Sequence, residues 1–184
     1  MKNRFVEWSK KKYTKKQRFI ALIPEVIFFL VIIPLCFFVG PFYIDRWLNI
    51  PSLILGPLNL FTAIFLIIFG LLFSLWSIQV QFKIGKGTPA PMMPTQKLVI
   101  TGPYLYCRNP MYFGAVILYL GIAVLTRSLS SFGIVILTIS AILIYIKLIE
   151  EKELTARFGQ NYLNYCKRTP FFIPWIRKDK KNKI

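Results

Sequence analysis

Arg108 is the first residue of this sequence whose surroundings could support chemistry. It precedes Asn109 and Pro110, a pair typical of a helix start, with Asn at the N-cap and Pro at the first helical position. A guanidinium beside the free amide groups of a helix N-terminus favours an anion, so this position is a candidate carboxylate or phosphate site. The alternative is that Arg108 reaches lipid phosphates, since an apolar run follows it.

Three carboxylates at the end of the last apolar run form the second candidate group. Lys147 can pair with Glu151, and Arg157 with Glu153, because residues four apart are neighbours on a helix. Glu150 has only a weaker contact with Lys147, three residues away. Adjacent carboxylates here suit a cation or the hydroxyl groups of a ribose. The alternative is a solvated helix end stabilised by ion pairs.

The residue types that are missing narrow the chemistry further. The chain has no histidine, and its three cysteines show no paired spacing: Cys36, Cys107 and Cys166. We therefore predict neither a metal site nor a disulfide framework. Any proton transfer must use a carboxylate, a tyrosine or a lysine.

The elements that position these residues are predicted to be membrane-spanning helices. The chain has 184 residues, of which 55% are hydrophobic, with a mean hydropathy of +0.55. Since about 20 apolar residues cross a bilayer, we predict four spans: Val26–Ile44, Leu58–Gln81, Met111–Thr126 and Ser128–Ile146. The third is short, so it either crosses a locally thinned bilayer, as we predict, or pairs with the fourth as a helical hairpin.

The predicted fold is therefore an all-α integral membrane bundle with four spans, and the alternatives are a fifth span or a short helical hairpin. We expect a single domain over residues 1–184, with spans one and two in 1–82 and spans three and four plus a tail in 83–184. The first apolar run is longer than that of a secretory signal, so we expect it to be retained as an anchor.

Basic residues are distributed unevenly between the two predicted sides of the membrane. The chain has 24 Lys and Arg against 7 Asp and Glu, a net charge of +17. Of the basic residues, eight lie in 1–18, four in 83–108, ten from 147 onward, and only Arg46 and Arg127 lie elsewhere. The positive-inside rule then places both termini and the central loop in the cytoplasm of a multi-pass cell-membrane protein. No nucleic-acid partner is predicted, because the aromatic residues lie inside the spans rather than on a basic face.

Two further features lie close to the predicted cytoplasmic surface. Aromatic and basic residues alternate in the tail, which is typical of a segment in the headgroup layer or over a pocket: Tyr162, Tyr165, Lys167, Arg168, Phe171, Phe172 and Trp175. Glu25, near the start of span one, is expected at the membrane interface.

Five segments, in order, resemble the membrane-embedded methyltransferases typified by isoprenylcysteine carboxyl methyltransferase, which are related to the phospholipid N-methyltransferases. They are GKGTPAP at Gly85–Pro91, LVITGPY at Leu98–Tyr104, RNPMYFG at Arg108–Gly114, the pair Glu150–Glu151, and FGQNYLNYCKRTPFFIP at Phe158–Pro174. Five motifs in register over half of the chain make the resemblance specific. The sequence departs at Asn109, where the eukaryotic prenyl-protein enzymes have His and many bacterial relatives have Asn.

The resemblance implies an all-helical enzyme that binds S-adenosylmethionine at the cytoplasmic membrane face without a Rossmann domain, and releases S-adenosylhomocysteine. The implied cofactor-binding residues are Arg108, Asn109, Pro110, Tyr112, Gly114, Glu150 and Glu151, with Tyr104 as a wall. Arg168 resembles the arginine placed near the acceptor and is the predicted catalytic residue. Our hypothesis is that Arg108 holds the cofactor carboxylate, while Glu150 and Glu151 bind its ammonium group or ribose hydroxyls.

The acceptor implied by this resemblance is a lipophilic small molecule or a lipidated substrate within the bilayer. Methyl transfer is an in-line displacement, in which the enzyme aligns the reactants and excludes water. A carboxylate or a thiolate acceptor needs no strong base, whereas an amine must lose a proton, so the lack of histidine favours a carboxylate acceptor, as in isoprenylcysteine, or a thiol acceptor that reacts as the thiolate. The alternatives are a non-catalytic lipid-binding or scaffold protein, a phospholipid amine methyltransferase, and a cation transporter that uses Glu25.

Overall fold

The computed structural model describes residues 13–53, 56–88 and 93–175, and within these ranges the chain is helical with no strand. This confirms the all-α prediction for the described part of the chain. The α-helices are α1 (Lys15–Ile27), α2 (Ile33–Trp47), α3 (Asn59–Val80), α4 (Pro110–Thr126), α5 (Leu129–Tyr145), α6 (Glu151–Phe158) and α7 (Gln160–Arg168).

Single π-helical turns join or extend several of these elements. They lie at Phe28–Ile32 between α1 and α2, at Gln81–Gly85 after α3, and at Ile146–Glu150 between α5 and α6. Three continuous helices result, each long and apolar enough to cross a membrane: Lys15–Trp47, Asn59–Gly85 and Leu129–Phe158. The fourth apolar helix, α4, has 17 residues. Three to four helices can therefore span a bilayer, and the shorter one is the predicted third span.

The first long helix begins well before the predicted start of span one at Val26. A capping box starts it at Lys15: the Gln17 amide donates to Thr14 Oγ1 at 3.2 Å, and the Thr14 amide donates to Gln17 Oε1 at 2.9 Å. These two hydrogen bonds satisfy amide groups that a helix start otherwise leaves without partners. A run without charged residues identifies only the apolar part of a helix. The helix itself starts earlier, at the residue that caps its N-terminus.

The short helix α4 lies at the centre of the bundle, where it is apolar on all sides. It contributes most of the principal cluster of buried side chains, which comprises Phe37, Leu118, Tyr119, Ile122, Ala123 and Val135. The Phe37 and Tyr119 rings stack with their centroids 4.8 Å apart, which joins α2 to α4. The other helices surround α4 and expose large apolar side chains outward, as a lipid environment requires.

Small residues allow α3 and α4 to pack with their backbones almost in contact. A Cβ added at Gly70 would lie 2.4 Å from the Leu118 amide nitrogen, and one at Gly114 would lie 2.5 Å from Ser74 Oγ. Ser74 Oγ also donates to the Met111 carbonyl at 3.1 Å. This close approach aligns the end of α3 with the start of α4, where Arg108 lies.

Candidate functional site

A polar cavity lies where the end of α3, the central loop, the start of α4 and the helices α5 to α7 converge. Six residues implied by the motif resemblance line it: Tyr104, Arg108, Asn109, Pro110, Tyr112 and Glu150. The central loop reaches the cavity through a 3₁₀ turn at Gly102–Leu105, and the helix then starts at Pro110 as predicted. The structure therefore brings the two candidate groups of the sequence, far apart in the chain, to one place.

Arg108 is held against the second carboxylate of the Glu150–Glu151 pair. Its Nη1 forms a salt bridge with Glu151 Oε1, and the side chains of Arg108 and Glu151 are only 11% and 14% exposed. The same Nη1 donates to Cys166 Sγ at 2.9 Å. Burial is the largest single effect on Arg108 and lowers its pKa, but Glu151, Cys166 and Tyr162 together outweigh burial, so the net pKa is raised. Arg108 is therefore a permanent, mostly buried cation.

One donor of Arg108 has no partner in the described part of the chain. Its Nε is buried and makes no hydrogen bond with any described residue. A buried donor without a partner costs free energy, about 1–3 kcal/mol or more for a charged group. Because Arg108 lines the cavity, a bound acceptor atom could satisfy this donor.

Glu150 differs from its two neighbouring carboxylates in having no cation. Glu151 also pairs with Lys147 at 2.9 Å, and Glu153 pairs with Arg157 at 3.1 Å, as the four-residue spacing predicted. Within the described ranges, Glu150 makes no ion pair, and its Oε2 accepts only a long hydrogen bond of 3.5 Å from the Tyr112 hydroxyl. Glu150 lines the cavity, so it adds to the wall a buried carboxyl group that has no cationic partner among the described residues.

Tyrosines and an amide side chain form a rigid, neutral part of the wall. Tyr104 donates from its hydroxyl to Gln81 Oε1 at 2.8 Å, and Tyr165 donates to the Tyr104 carbonyl at 2.6 Å. Burial raises the pKa of both Tyr104 and Tyr165 well above the usual tyrosine range. Both phenols therefore stay neutral and act as hydrogen-bonding walls. Burial also raises the pKa of the Cys107 thiol to about 11, which makes it unreactive.

The tail segment 169–175 folds back over the loop that precedes α4. The Arg108 amide donates to the Pro170 carbonyl at 2.9 Å, and the Trp175 amide donates to the Tyr106 carbonyl at 3.0 Å. The Phe171 ring lies 5.3 Å from the Arg108 guanidinium carbon, within cation–π range. These contacts hold the tail against Arg108 and the loop before α4, although no residue of 169–175 is among those that line the cavity.

Asn109 occupies the N-cap position of α4, but its side chain does not cap the helix. Its amide Nδ2 instead donates to the Phe171 carbonyl at 2.8 Å. The expectation that the Asn109 side chain caps α4 is therefore corrected, because the tail competes for this side chain. Asn109 links the tail to the cavity floor.

Three predicted site residues lie off the cavity wall. Glu151 contacts the cavity only through Arg108, and Gly114 packs against Ser74 and Gly70 of α3. Arg168 is exposed at the end of α7 and is not among the lining residues. Three of the seven residues of the GKGTPAP motif, 89–91, lie outside the described residues.

Several lining residues were not predicted from the sequence. The most polar are Gln81, Thr88, Thr95 and Arg157, and Arg157 also donates to the Thr95 carbonyl. Thr88 belongs to the GKGTPAP motif, so the resemblance could have indicated it. Gln81 and Thr95 carry no local signal, because only the bending of the central loop brings them to the cavity.

The residues present fit a zwitterionic ligand that carries hydroxyl groups. A guanidinium with an unsatisfied donor, a carboxylate without a cation and neutral tyrosine hydroxyls all border one cavity. Among the described residues, no group of three or more His, Cys, Asp or Glu side chains could hold a metal ion. The guanidinium, the carboxylate and the hydroxyl groups together suit the amino acid and ribose parts of S-adenosylmethionine.

Comparison with known proteins agrees with this chemistry. The phospholipid methyltransferase family model matches residues 58–161. A methanethiol S-methyltransferase of Crocosphaera subtropica is 32% identical over 67% of this chain and 45% of its own length. Methanethiol S-methyltransferase 1 of Bradyrhizobium diazoefficiens is 28% identical over 66% of this chain and 40% of its own.

A cobalt-zinc-cadmium resistance protein of Cupriavidus metallidurans is also similar, 31% identical over 42% of this chain and 35% of its own length. The chain thus spans less than half the length of these relatives. No solved structure matches it. Because the family model covers more than half of the residues, including the start of α4 and the acidic pair, this chain belongs to the phospholipid methyltransferase family.

Proposed function

We propose that this protein transfers a methyl group from S-adenosylmethionine to an apolar acceptor, and that the acceptor group is a thiol. Of the carboxylate and thiol acceptors favoured by the sequence, the two relatives named as methanethiol S-methyltransferases support the thiol. The products are then a thioether and S-adenosylhomocysteine. The apolar helices around the cavity suit an acceptor that reaches the site through lipid.

The proposal depends on two polar groups at the cavity that lack a partner among the described residues. Arg108 has a buried donor without an acceptor, and Glu150 is a carboxylate without a cation. We propose that Arg108 and the amide groups at the start of α4 bind the cofactor carboxylate. Glu150 then binds the cofactor ammonium group or the ribose hydroxyls. Glu151 acts indirectly, by orienting Arg108.

The chemistry that the cofactor supplies is an electrophilic methyl group on a sulfonium. The residues of this chain bind the cofactor, align the acceptor and keep water out. The folded tail segment 169–175 covers the site through its hydrogen bonds to Arg108 and Asn109. The assignment of Arg168 to the acceptor side stays a prediction, since this side chain is exposed.

We further propose that the cavity opens to the cytoplasm and that residues 1–184 form one domain. The positive-inside rule supports this orientation, because the basic segments 83–108 and 147–168 surround the cavity, whereas Arg46 and Arg127 flank the turns at the other end of the helices.

Titration of S-adenosylhomocysteine into the protein in detergent micelles tests the site. Arg108→Gln and Glu150→Gln should each weaken binding by about tenfold or more, since each removes a charge-assisted hydrogen bond. Arg46→Gln and Lys152→Gln are the matched controls, because both side chains are exposed away from the cavity. Unchanged affinity in both cavity variants would refute the proposed site.

Mass spectrometry tests the reaction itself. Membranes that contain the protein, given cofactor with a deuterated methyl group and a simple alkyl thiol, should produce the deuterated methyl thioether. Binding of the cofactor without transfer to a thiol, a carboxylic acid or a phospholipid would instead show a non-catalytic binding protein.

A further inference from the structure

A second cavity lies on the membrane side of the polar one, between α1, α3 and α4. Its wall is formed almost entirely by apolar side chains, including Leu22, Phe29, Ile78 and Leu118. Glu25 is its only carboxylate among the described residues. Glu25 is only 6% exposed, so the surrounding protein encloses its side chain.

The apolar cavity and the polar cavity meet at two residues. Met111 and Tyr112, in the first turn of α4, line both of them. A second connection is a hydrogen bond of 2.8 Å from Thr88 Oγ1, in the wall of the polar cavity, to Glu25 Oε1. A small apolar molecule in the second cavity would thus lie beside the site proposed for the cofactor and close to the Glu25 carboxylate.

A thiol acceptor needs a base that removes its proton, because the thiolate and not the thiol is the nucleophile. The chain has no histidine, and its seven carboxylates are Glu7, Glu25, Asp45, Glu150, Glu151, Glu153 and Asp179. Glu151 and Glu153 do not line the apolar cavity, and Asp45 lies at the other end of α2, where it accepts from the Ser130 amide. Glu150 lines the polar cavity but not the apolar one.

The other polar side chains that line the apolar cavity are hydroxyls: Ser74, Tyr112 and Tyr119. The Tyr119 hydroxyl donates to the Phe29 carbonyl at 3.0 Å, and Ser74 Oγ donates to the Met111 carbonyl. A neutral hydroxyl does not take the proton of a thiol at neutral pH, so none of the three can act as the base. A carboxylate accepts one proton without further change.

We propose that the apolar cavity between α1, α3 and α4 binds the thiol acceptor and that Glu25 takes its proton. The S–H proton moves to a Glu25 carboxylate oxygen, and the sulfur keeps the electron pair with which it attacks the methyl carbon. The carbon–sulfur bond of the sulfonium breaks as the new one forms, and its electron pair stays on the departing sulfur. Glu25 later releases the proton to water. This inference rests on the proposed methyl transfer, and Glu25 lies outside the residues 58–161 that the family model matches.

Comparison of two classes of thiol tests the role of Glu25. Glu25→Gln should lower the rate with ethanethiol by about 100-fold, the usual effect of losing a general base. With 4-nitrothiophenol, which is already ionised at neutral pH, the same variant should keep a rate within a few-fold of wild type. Asp45→Asn is the matched control and should not change the ratio of the two rates. Equal losses with both thiols, or none with either, would overturn the role of Glu25.

A measurement on the unmodified protein does not depend on the folding of the variant. With saturating cofactor, the rate of methyl transfer to ethanethiol should be lower in D2O than in H2O, because the S–H proton moves to the base in the transferring step, whereas the rate with 4-nitrothiophenol, which has no proton to lose, should not be lower. An ethanethiol rate in D2O equal to or above that in H2O would overturn the proton transfer. Failure of wild-type protein to methylate either thiol would instead refute the proposed function.

Discussion

Glu151 lies between two cations that differ sharply in exposure. The Arg108 side chain is 11% exposed, whereas that of Lys147 is 64% exposed. An ion pair with a solvated lysine contributes little to stability, about 0–1 kcal/mol. A pair between two mostly buried charges is different, because removing one partner leaves the other buried and uncompensated. The two salt bridges of Glu151 should therefore contribute unequally to the stability of the protein.

We predict that Glu151→Gln lowers the free energy of unfolding by about 3 kcal/mol, because it leaves the Arg108 cation unpaired. Lys147→Gln, which removes only the exposed partner, should change it by less than about 1 kcal/mol. Denaturant unfolding in detergent micelles measures both. Equal effects of the two substitutions would show that the Arg108 pair is not the dominant one.

At the scale of elements, the contact between α3 and α4 determines where the cavity residues stand. Gly70 faces backbone atoms of α4, with Leu118 N at 2.4 Å and the Gly114 carbonyl oxygen at 2.5 Å from an added Cβ. Backbone atoms cannot turn aside as a flexible side chain can. Small residues at such crossings are typical of helices that pack within membranes.

Gly70→Ala should therefore push α3 and α4 apart and lower the free energy of unfolding by about 1–3 kcal/mol. Gly133→Ala is the matched control, because Gly133 is also helical but has nothing within 4 Å of its added Cβ. The control should be neutral or stabilising by up to about 1 kcal/mol, since alanine favours a helix over glycine. Thermal unfolding in micelles measures both variants, and a neutral Gly70→Ala would contradict the close packing.

At the scale of the whole molecule, the charges and the polar cavity lie at the same end of the bundle. The basic loop that includes Lys97, helix α6 and the basic helix α7 surround the cavity. The opposite end has the turn between α2 and α3, which includes Ser52, and the turn at Arg127 between α4 and α5. The Leu53 amide donates to the Arg127 carbonyl at 2.8 Å and holds these two turns together.

This arrangement predicts opposite labelling of two single-cysteine variants, made after the three native cysteines are replaced by alanine. Lys97→Cys should react with a membrane-impermeant maleimide only in inverted vesicles, because the proposed orientation places its loop on the cytoplasmic side. Ser52→Cys should react only in intact cells. Both native side chains are exposed, so access to the reagent is not limited by burial. Labelling of both from one side would refute the proposed orientation.

The sequence alone determined the features that depend on short stretches of chain. Apolar runs identified the helices, the Asn109–Pro110 pair identified the start of α4, and the four-residue spacing identified the ion pairs of Glu151 and Glu153. These features are local because the solvation of a helix and its neighbours along one face follow from residues within a few turns. The motifs also indicated the family.

Only the tertiary structure decided which distant groups meet. It paired Arg108 with Glu151, directed the Asn109 amide to the tail, used Gly114 for packing and enclosed Glu25 beside an apolar cavity. These contacts depend on how each helix is rotated about its axis and how the loops bend. Helical periodicity shows which residues share a face, but an apolar helix such as α4 offers every face to its neighbours, so its partners are chosen only when the bundle packs.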